Sequence, residues 1–500
     1  MKQLHFSIIL SILLSMFAVQ SYAHDIEVKN ADGVPIYYKW LNGKKEVEVS
    51  FYGNENNVIS DWYKGDVDIP ASIVYKGIQY PVTSIGEQAF GGSVKITSVT
   101  IPNSVKSIGK NAFLECSSIT SIIIPKNVKS IGEGIFDKCI NLITINVEEG
   151  NKIYDSRDNC NAIIETATNT LLAGCQTTTI PNGVTSIGMM AFAGCTGLTS
   201  ITIPNSVKSI GDYAFSGCKG LTSINIENGV TSIGVGTFDN CKSITSIIIP
   251  NSVTSIGMMA FSFCTALTYV TIGNGIATIN DYVFSNCNAL TSIIIPNSVT
   301  SIGKGAFSHC RGLTSITIGN NVKSIGGYAF YECVELKEVI CLAENVPTTQ
   351  FYVFASTHFQ GATLIVPETS IYLYNAQYPW SDFGDIVPYS FDYEVVNSVI
   401  ANINAIGEVT YSDASRNLID AARTSYDALS DIQKALVTNV GVLLAAEEKY
   451  EELHQMDTGI NSVSANDAEN TMYDLSGRKL SKKPVTKGVY ILKGKTVFIK

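Results

Sequence analysis

The sequence predicts a repeat solenoid rich in β-strand, followed by a small helical module and a small C-terminal β domain. The tripeptide Ser-Ile-Gly recurs every 23 residues in two blocks, which start at residues 84 and 186, and the variant Thr278-Ile279-Asn280 fills one register. A phenylalanine recurs with the same period in ten copies, at Phe90, Phe113, Phe136, Phe192, Phe215, Phe238, Phe261, Phe284, Phe307 and Phe330. A fixed period of this length is the signature of stacked structural repeats.

The sequence of each repeat predicts two extended segments followed by a curved segment, which we call the arc. Residues 200–203 alternate polar and apolar side chains, which is the period of a half-buried strand, and Pro204 removes a backbone donor and ends that strand. Residues 207–210 form a second extended piece. Gly211 then permits backbone angles that other residues resist. We expect the chain to turn there into a short helical arc carrying Phe215 and Cys218.

A single repeat cannot be stable alone. It buries about seven apolar side chains at about 1.5–3 kcal/mol each, whereas ordering its 23 residues costs about 1–2 kcal/mol per residue. Stacking lets strands of neighbouring repeats pair in parallel and lets each phenylalanine lie between two others. The stability of the array is therefore expected to arise between coils.

The pattern Leu-x-x-Ile-x-Ile-Pro-x-x-Val-x-x-Ile-Gly-x-x-Ala-Phe-x-x-Cys resembles the 23-residue leucine-rich repeats of the BspA-like class. We assign residues 81–355 to this solenoid. The resemblance implies a right-handed superhelix whose strands line its concave side, and a non-enzymatic surface protein that binds host or matrix proteins.

An irregular coil at residues 151–175 interrupts the repeats, because it lacks the Ala-Phe element. Residues 155–159 are typical of a turn. Residues 162–165 and 170–173 predict the two strands of a hairpin.

Nine of the 12 cysteines lie on the repeat register, at Cys116, Cys139, Cys195, Cys218, Cys241, Cys264, Cys287, Cys310 and Cys333. In a ladder with a spacing of about 4.8 Å, side chains point the same way, and their Cβ atoms stay farther apart than the ~3.8 Å of a disulfide. Buried thiols are therefore favoured over bridges. Cys160 and Cys175 lie outside the ladder, and whether they are bridged stays open.

The sequence contains no pattern that indicates catalysis or a cofactor. The five histidines are scattered, no Cys-x-x-Cys occurs, and the nucleophile-elbow, phosphate-loop and zinc-protease motifs are absent. Acidic residues in the repeats occur singly, without the carboxylate pair of a glycoside hydrolase. We expect neither an enzyme nor a bound metal.

Charge and the N-terminal segment indicate an exported protein. The formal net charge is −10, without the basic excess that nucleic-acid binding requires. Residues 1–23 combine an early lysine, an apolar run and small residues before a cleavage position, which predicts a secretory signal peptide. No later run is long enough to span a membrane. Residues 24–80 are expected to form an N-terminal β cap, and residues 356–390 an aromatic-rich C-terminal cap.

The C-terminal part of the chain changes its pattern twice. Residues 391–456 have helical periodicity and predict a spacer of three helices, and residues 457–470 form a linker. Residues 471–500 resemble the sorting domains of type IX secretion, on a set of matching residues, namely Asp474, Gly477, Arg478, Gly488 and Tyr490. The resemblance implies that the secretion machinery is a partner and that the mature protein is secreted or surface-exposed.

The sequence favours an adhesin that binds an extracellular or host protein through the concave face of the solenoid. Small polar side chains dominate the outward strand positions, at Ser200, Thr202, Ser223, Asn225, Ser246, Ile248, Tyr269, Thr271, Ser292, Ser315 and Thr317. The alternative is a glycan-binding or nutrient-capture surface protein. Glycan sites generally need aromatic platforms, and this face has only Tyr269.

Overall fold

A computed structural model of the chain describes residues 24–51, 53–54, 57–58, 63–389, 393–437, 439–458, 461–462, 472–473, 488–492 and 495–499. The predicted signal peptide and three residues of the predicted sorting motif, Asp474, Gly477 and Arg478, lie outside these ranges. The chain divides into two compact units, residues 1–389 and 390–500.

Strands ahead of the repeats lead directly into the first coil. Their bounds are β1 (Ile26–Lys29), β2 (Pro35–Leu41), β3 (Glu46–Ser50), β4 (Gly53–Asn54), β5 (Asn57–Val58), β6 (Lys64–Asp68), β7 (Ser72–Tyr75) and β8 (Ile78–Ile85). Strands β1, β2 and β3 are antiparallel, and β3 pairs in parallel with β8, which ends in the first Ser-Ile of the repeats. The buried ring of Tyr63 packs against Phe90, with 4.8 Å between the ring centroids. The apolar core therefore runs from these strands into the repeats without a gap.

Long and short strands alternate through the solenoid. In chain order they are β9 (Lys95–Thr100), β10 (Ser107–Ile108), β11 (Ser121–Ile124), β12 (Ser130–Ile131), β13 (Thr144–Val147), β14 (Tyr154–Asp155), β15 (Ala162–Glu165), β16 (Thr170–Gly174), β17 (Ser186–Ile187), β18 (Ser200–Ile203), β19 (Ser209–Ile210), β20 (Ser223–Ile226), β21 (Ser232–Ile233), β22 (Ser246–Ile249), β23 (Ser255–Ile256), β24 (Tyr269–Ile272), β25 (Thr278–Ile279), β26 (Ser292–Ile295), β27 (Ser301–Ile302), β28 (Ser315–Ile318), β29 (Ser324–Ile325), β30 (Glu338–Cys341) and β31 (Thr348–Thr349). Pairing between regular coils is parallel, as in Ser200↔Ser223 and Ser209↔Ser232. The predicted β-solenoid with a 23-residue coil is confirmed.

The phenylalanines of the second block of repeats form a continuous stack inside the coils. From Phe192 to Phe330, neighbouring ring centroids lie 4.7–5.5 Å apart, and the ring planes agree within 12°. Phe354 extends the stack by one ring, 5.5 Å from Phe330. The sequence analysis did not count this further coil, because its step is 24 residues, from Ser324 to Thr348, and Thr357 stands in place of the cysteine.

The prediction of a helical arc after each glycine is wrong, because this segment is a succession of turns. Two positions in each arc have positive φ, as at Tyr213 (55°) and Gly217 (72°). Alternate backbone N–H groups of an arc, such as those of Met190, Phe192 and Gly194, therefore donate to carbonyls of the next coil. The N–H of Phe192 accordingly donates to the carbonyl of Ala214 in the next coil, at 2.7 Å.

Gly211 also has a different role from the predicted one. Its φ does not lie in the left-handed region, but a Cβ there would lie 2.8 Å from Gly188 C and from Met189 N. The glycine is therefore required by the close approach of two coils. Asn280 stands at the equivalent position of another coil, where its Nδ2 donates to the carbonyl of Ile256 at 2.6 Å.

The irregular coil adds strands on one side of the solenoid only. Strands β15 and β16 form an antiparallel hairpin, and β16 pairs in parallel with β17. On the arc side, the two blocks of repeats meet directly, since the N–H of Lys138 donates to the carbonyl of Ala193 at 3.1 Å. The insertion therefore displaces the strand side and leaves the arcs in contact.

Beyond the last coil, β32 (Thr363–Pro367), α1 (Ile371–Asn375) and β33 (Asp385–Tyr389) close the first unit. Strands β30, β32 and β33 continue the parallel ladder. The side chains of Tyr374, Trp380 and Phe383 are buried over the end of the phenylalanine stack.

The described residues of the second unit include four helices, one more than the three predicted. They are α2 (Tyr393–Asn404), α3 (Asp413–Asp427), α4 (Asp431–Leu436) and α5 (Val440–Thr458), and β34 (Asn461–Ser462), β35 (Met472–Tyr473), β36 (Gly488–Leu492) and β37 (Lys495–Ile499) follow. Ser412 caps α3, and Ser430 forms a capping box with Gln433 at the start of α4. Arg423 pairs with Glu447 through two hydrogen bonds of 2.7 and 2.6 Å. Within the described ranges, no helix has the length and apolarity that crossing a membrane requires.

Candidate functional site

The outward positions of the long strands form the surface that we call the ladder face. Along β18 and β20, Ser200, Thr202, Ser223 and Asn225 are all exposed, while the alternate positions face the core. Farther along the ladder, Ser246, Ile248, Tyr269 and Ser292 are exposed and Thr271 and Ser315 are half-buried. The outward positions are therefore at least partly exposed over most of the ladder.

Thr317 departs from the expectation. Its side chain is only 3% exposed, although it occupies an outward position of β28. Its two ladder neighbours are Ile294 and Ile340, whose larger side chains flank the short threonine. Thr317 is therefore not available for binding.

A recess of about 390 Å³ opens in the ladder face where the two blocks of repeats meet. In a regular coil a long strand would occupy residues 177–180, but this segment has no strand pairing. The segment is held instead by the preceding coil, because the hydroxyl of Thr177 donates to the carbonyl of Ile143 at 2.5 Å. It is also held by the inserted hairpin, because the hydroxyl of Thr178 donates to the carbonyl of Asn161. The missing strand therefore leaves a gap beside β18.

Hydroxyl, amide and carboxylate groups line the recess. Its walls comprise Thr178, Thr179, Ile180, Asn182, Ser200, Ile201, Thr202, Pro204, Ser223, Asn225 and Glu227. Glu227 is already engaged, since its Oε2 accepts a hydrogen bond of 2.6 Å from the backbone N–H of Asn205. The remaining groups are short and neutral, so the recess is suited to hydrogen bonding with a polar, uncharged backbone or ligand.

The edge of β18 borders this recess. Among the described residues, β18 pairs with β20 and with no strand on its other side. An unpaired strand edge is a template for an added strand. The sheet also divides between β20 and β22, but the strands remain in contact there, so that division leaves no comparable space.

Exposed apolar residues lie on both sides of the recess. Ile123 on β11 is 58% exposed, and on the other side Ile248 and Tyr269 are 49% and 57% exposed. Ile248 and Tyr269 lie on the paired strands β22 and β24, and neighbouring exposed apolar side chains favour contact with a partner. The ladder face therefore combines a polar recess with apolar flanks.

The cysteine ladder is part of the core and not of the site. All 12 cysteines are buried and unbridged in the structure. Eight of the nine register cysteines donate to the carbonyl of a phenylalanine one coil earlier, as Cys218 Sγ does to Phe192 O at 3.1 Å. Cys175 donates to the carbonyl of Ile143 at 3.0 Å and forms no bridge with Cys160.

Burial controls the chemistry of these thiols. It raises the pKa of Cys116 and of Cys195 to about 12, and it holds the pKa of Cys241 and Cys264 well above the usual value. A neutral, buried thiol is a poor nucleophile and a poor metal ligand. No group of three or more His, Cys, Asp or Glu side chains that fits a metal ion occurs in the described part of the chain.

Sequence reasoning missed the irregular half of the recess. Thr178, Ile180, Asn182 and Glu227 were not among the predicted site residues. The available signal was the absence of the Ser-Ile-x-Ile pattern at residues 177–180, in a place where the period requires a strand. The missing strand leaves a recess on one face of the solenoid. The identity of that face depends on the path of the inserted residues, which follows from the fold and not from the local sequence.

The coil geometry and the exposed ladder define a repeat scaffold of the kind that presents an extended binding surface. The sequence profile of the BspA type Leucine rich repeat region matches residues 72–170, 171–291 and 277–377. The chain belongs to this family of leucine-rich repeat proteins, which are typically non-enzymatic binding scaffolds. No curated protein matches the chain.

Several solved structures are similar in fold. A leucine-rich repeat protein from Bacteroides ovatus is 24% identical, with 73% of this chain and 100% of that chain covered and a TM-score of 0.46. A leucine rich cell surface protein from Faecalibacterium prausnitzii is also 24% identical, with 74% and 96% covered and a TM-score of 0.38. The pneumococcal vaccine antigen PcpA is 15% identical, with 74% and 100% covered and a TM-score of 0.39.

Proposed function

We propose that this protein is a secreted or surface-exposed adhesin that binds an extracellular or host-matrix protein through the ladder face. The observation that carries the proposal is the polar recess at the interruption, where an open strand edge lies beside exposed Ser200, Thr202 and Asn225. The proposed function is binding without catalysis, and it requires neither a cofactor nor a nucleic acid.

An extended segment of the partner fits this surface best. Its backbone would hydrogen-bond to the free edge of β18, as in recognition by strand addition. Its side chains would alternate between the recess and the flanking apolar residues Ile123 and Ile248. A rigid stack of coils holds these groups in place before binding, which reduces the entropy lost on association.

The terminal segments support export as part of the proposal. Residues 1–23 would direct transfer across the inner membrane, and residues 471–500 would engage a type IX secretion machinery. Strands β36 and β37 form an antiparallel pair that includes Gly488 and Tyr490. The other three motif residues lie outside the described residues. Deletion of residues 471–500 should leave the protein inside the cell envelope, and fractionation would detect this.

The test of the binding site uses the full chain and matched lysine substitutions. We expect the wild-type protein to bind at least one member of a panel of extracellular-matrix proteins. Asn225→Lys and Thr202→Lys place a long charged chain in the recess, so they should weaken that binding about tenfold or more. Ser292→Lys is the control, because Ser292 is an exposed outward residue beyond the recess. Equal loss in all three variants would contradict a site at the interruption.

The alternative of glycan binding at the ladder face has less support. The ladder face offers Tyr269 as its aromatic platform, three strands along the ladder from β18. Glycan binding that the Asn225→Lys and Thr202→Lys variants abolish, together with no protein ligand in the panel, would favour this alternative over an adhesin.

A further inference from the structure

A second surface lies on the arcs, away from the ladder face. Each arc has a residue of positive φ two positions after the Ser-Ile-Gly glycine or its counterpart. Tyrosine occupies this position in four arcs, as Tyr213, Tyr282, Tyr328 and Tyr352, with φ of 55°, 58°, 61° and 59°. Left-handed backbone is unfavourable for a bulky residue. Tyrosine at this position therefore calls for a packing or functional reason.

Two of these tyrosines have a packing reason. Gly236 occupies the position of Tyr213 in the next coil, and a Cβ on Gly236 would lie 2.4 Å from Tyr213 Cε1. The same holds for Tyr282, because a Cβ on Gly305 would lie 2.4 Å from its Cε1. The ring of one coil thus covers the glycine of the next coil.

Tyr328 breaks this rule. The next coil presents Tyr352 instead of glycine, and the two rings lie 5.5 Å apart with their planes inclined by 31°. Phe351 contacts both rings edge-on, at 5.5 Å from Tyr328 and 5.8 Å from Tyr352. Tyr352 and Phe351 remain 62% and 61% exposed. A place where a local packing pattern is broken and two aromatic side chains stay largely exposed is a candidate functional position.

Polar groups continue this aromatic patch. Tyr331 contacts Tyr328 edge-on at 5.6 Å, and His309 contacts Tyr331 at 5.3 Å. His309 Nδ1 lies 3.2 Å from Glu332 Oε2, which also accepts a hydrogen bond of 2.6 Å from Arg311 Nη2. The side chain of Arg311 is 60% exposed, so its other N–H groups face solvent.

We infer that this patch, centred on Tyr352 and Phe351 and bordered by Arg311, Glu332 and His309, is a binding site for a neutral saccharide. A pyranose ring has an apolar C–H face and a rim of hydroxyl groups. The exposed ring of Tyr352 matches the C–H face of one sugar unit. At the other end of the chain of aromatic contacts, the ion-paired Arg311 and Glu332 offer donors and acceptors for the hydroxyl groups of a further unit.

The geometry favours a sugar ring over a peptide. Phe351 and Tyr331 meet Tyr328 edge-on, at 84° and 83°, so they hold the Tyr328 ring, which in turn lies 5.5 Å from the exposed ring of Tyr352. The charges of Arg311 and Glu332 compensate each other, and the chain is acidic overall. An anionic saccharide would therefore gain little from this site.

The experiment compares two tyrosines of the same arc position in the full-length protein. The probes are an array of neutral oligosaccharides and, alongside it, sulfated oligosaccharides. The test variant is Tyr352→Gly, which keeps a residue suited to positive φ and gives Tyr328 the glycine neighbour that Tyr213 and Tyr282 have. The matched control is Tyr282→Gly, which removes the equivalent ring three coils earlier.

We expect the wild-type protein to bind a neutral oligosaccharide and Tyr352→Gly to weaken this binding about tenfold. Tyr282→Gly should bind as the wild type does, and the thermal unfolding midpoint of Tyr352→Gly should not fall below that of the control variant. Absence of binding to every neutral oligosaccharide, binding of sulfated sugars alone, or equal loss in both variants would overturn the inference. Asn225→Lys should leave this binding unchanged, which separates it from the ladder face.

Discussion

Each cysteine of the ladder is held as a neutral thiol that closes one hydrogen bond between two coils. The thiol of Cys241 donates to the carbonyl of Phe215 at 3.1 Å, and Cys264 repeats this contact with Phe238 at 3.3 Å. The carbonyl also accepts from a backbone N–H of its own arc, as Phe215 does from Cys218. The thiol therefore satisfies the second lone pair of a buried carbonyl, which would be costly to leave unpaired.

We predict that the protein loses stability at alkaline pH. Burial raises the pKa of Cys116 and Cys195 to about 12 and that of Cys160 and Cys341 to about 11, whereas a cysteine of the unfolded chain ionises near pH 8.5. Below about pH 8.5 the thiols are neutral in both the folded and the unfolded chain, so their contribution to the free energy of unfolding is fully present. Above it the unfolded state loses protons first, so the free energy of unfolding falls by about 1.4 kcal/mol per pH unit for each such thiol.

Urea unfolding between about pH 7 and pH 10.5 measures this slope. Cys116→Ala should make the dependence of the free energy of unfolding on pH less steep by the contribution of one thiol, because the variant lacks one thiol with a raised pKa. A free energy of unfolding that stays constant over this range would contradict the thiol ladder.

Gly211→Ala tests the close approach of coils. The added Cβ would meet backbone atoms at 2.8 Å, so we expect the free energy of unfolding to fall by about 1–3 kcal/mol. Gly361→Ala is the control, because nothing lies within 4 Å of its Cβ and its φ is not positive. Denaturant unfolding compares the two variants. A Gly211→Ala protein as stable as the control would contradict a steric requirement for glycine at the contact between coils.

Among the elements, the strands were predictable and the arcs were not. The alternation of residues 200–203 is decisive, because a one-residue shift would expose Ile201 and Ile203. The arc contains no such alternation. Its left-handed positions carry residues as different as Tyr213 and Glu115, so sequence composition does not reveal the two turns.

The recess was only half predictable for a related reason. Ser200 and Asn225 follow from strand periodicity, whereas Asn182 belongs to a segment that has lost the repeat pattern. Local sequence shows that a strand is missing there. The position of that segment depends on contacts with residues that are distant in sequence, such as Ile143 and Asn161.

Removal of one whole coil tests the independence of these elements. Deletion of residues 278–300 joins Ala277 to Ser301 and keeps the register, because Thr278 and Ser301 are ladder partners. We expect this variant to fold and to unfold cooperatively, with a reduced free energy of unfolding. Deletion of residues 278–288, which breaks the register, should abolish the cooperative transition followed by circular dichroism. Similar behaviour of the two deletions would contradict a stack of equivalent coils.

In the molecule as a whole, the two surfaces have different origins. The ladder face is regular, and its recess exists because the coil at 151–175 displaces one strand. The aromatic patch lies on the arcs and exists because Tyr352 follows Tyr328, whereas a glycine follows Tyr213 and Tyr282. Both surfaces are departures from the repeat, while the coils between them serve to hold the scaffold rigid. The binding function is therefore expected to depend on the irregular positions more than on the repeated ones.

The most direct test of the adhesin proposal is hydrogen–deuterium exchange of the full-length protein, alone and with the matrix protein that it binds best. The account predicts slower exchange on binding in residues 177–182 and along β18 and β20, with little change in the helices of the second unit. Protection confined to the second unit, or spread evenly along the ladder without reference to the recess, would contradict it.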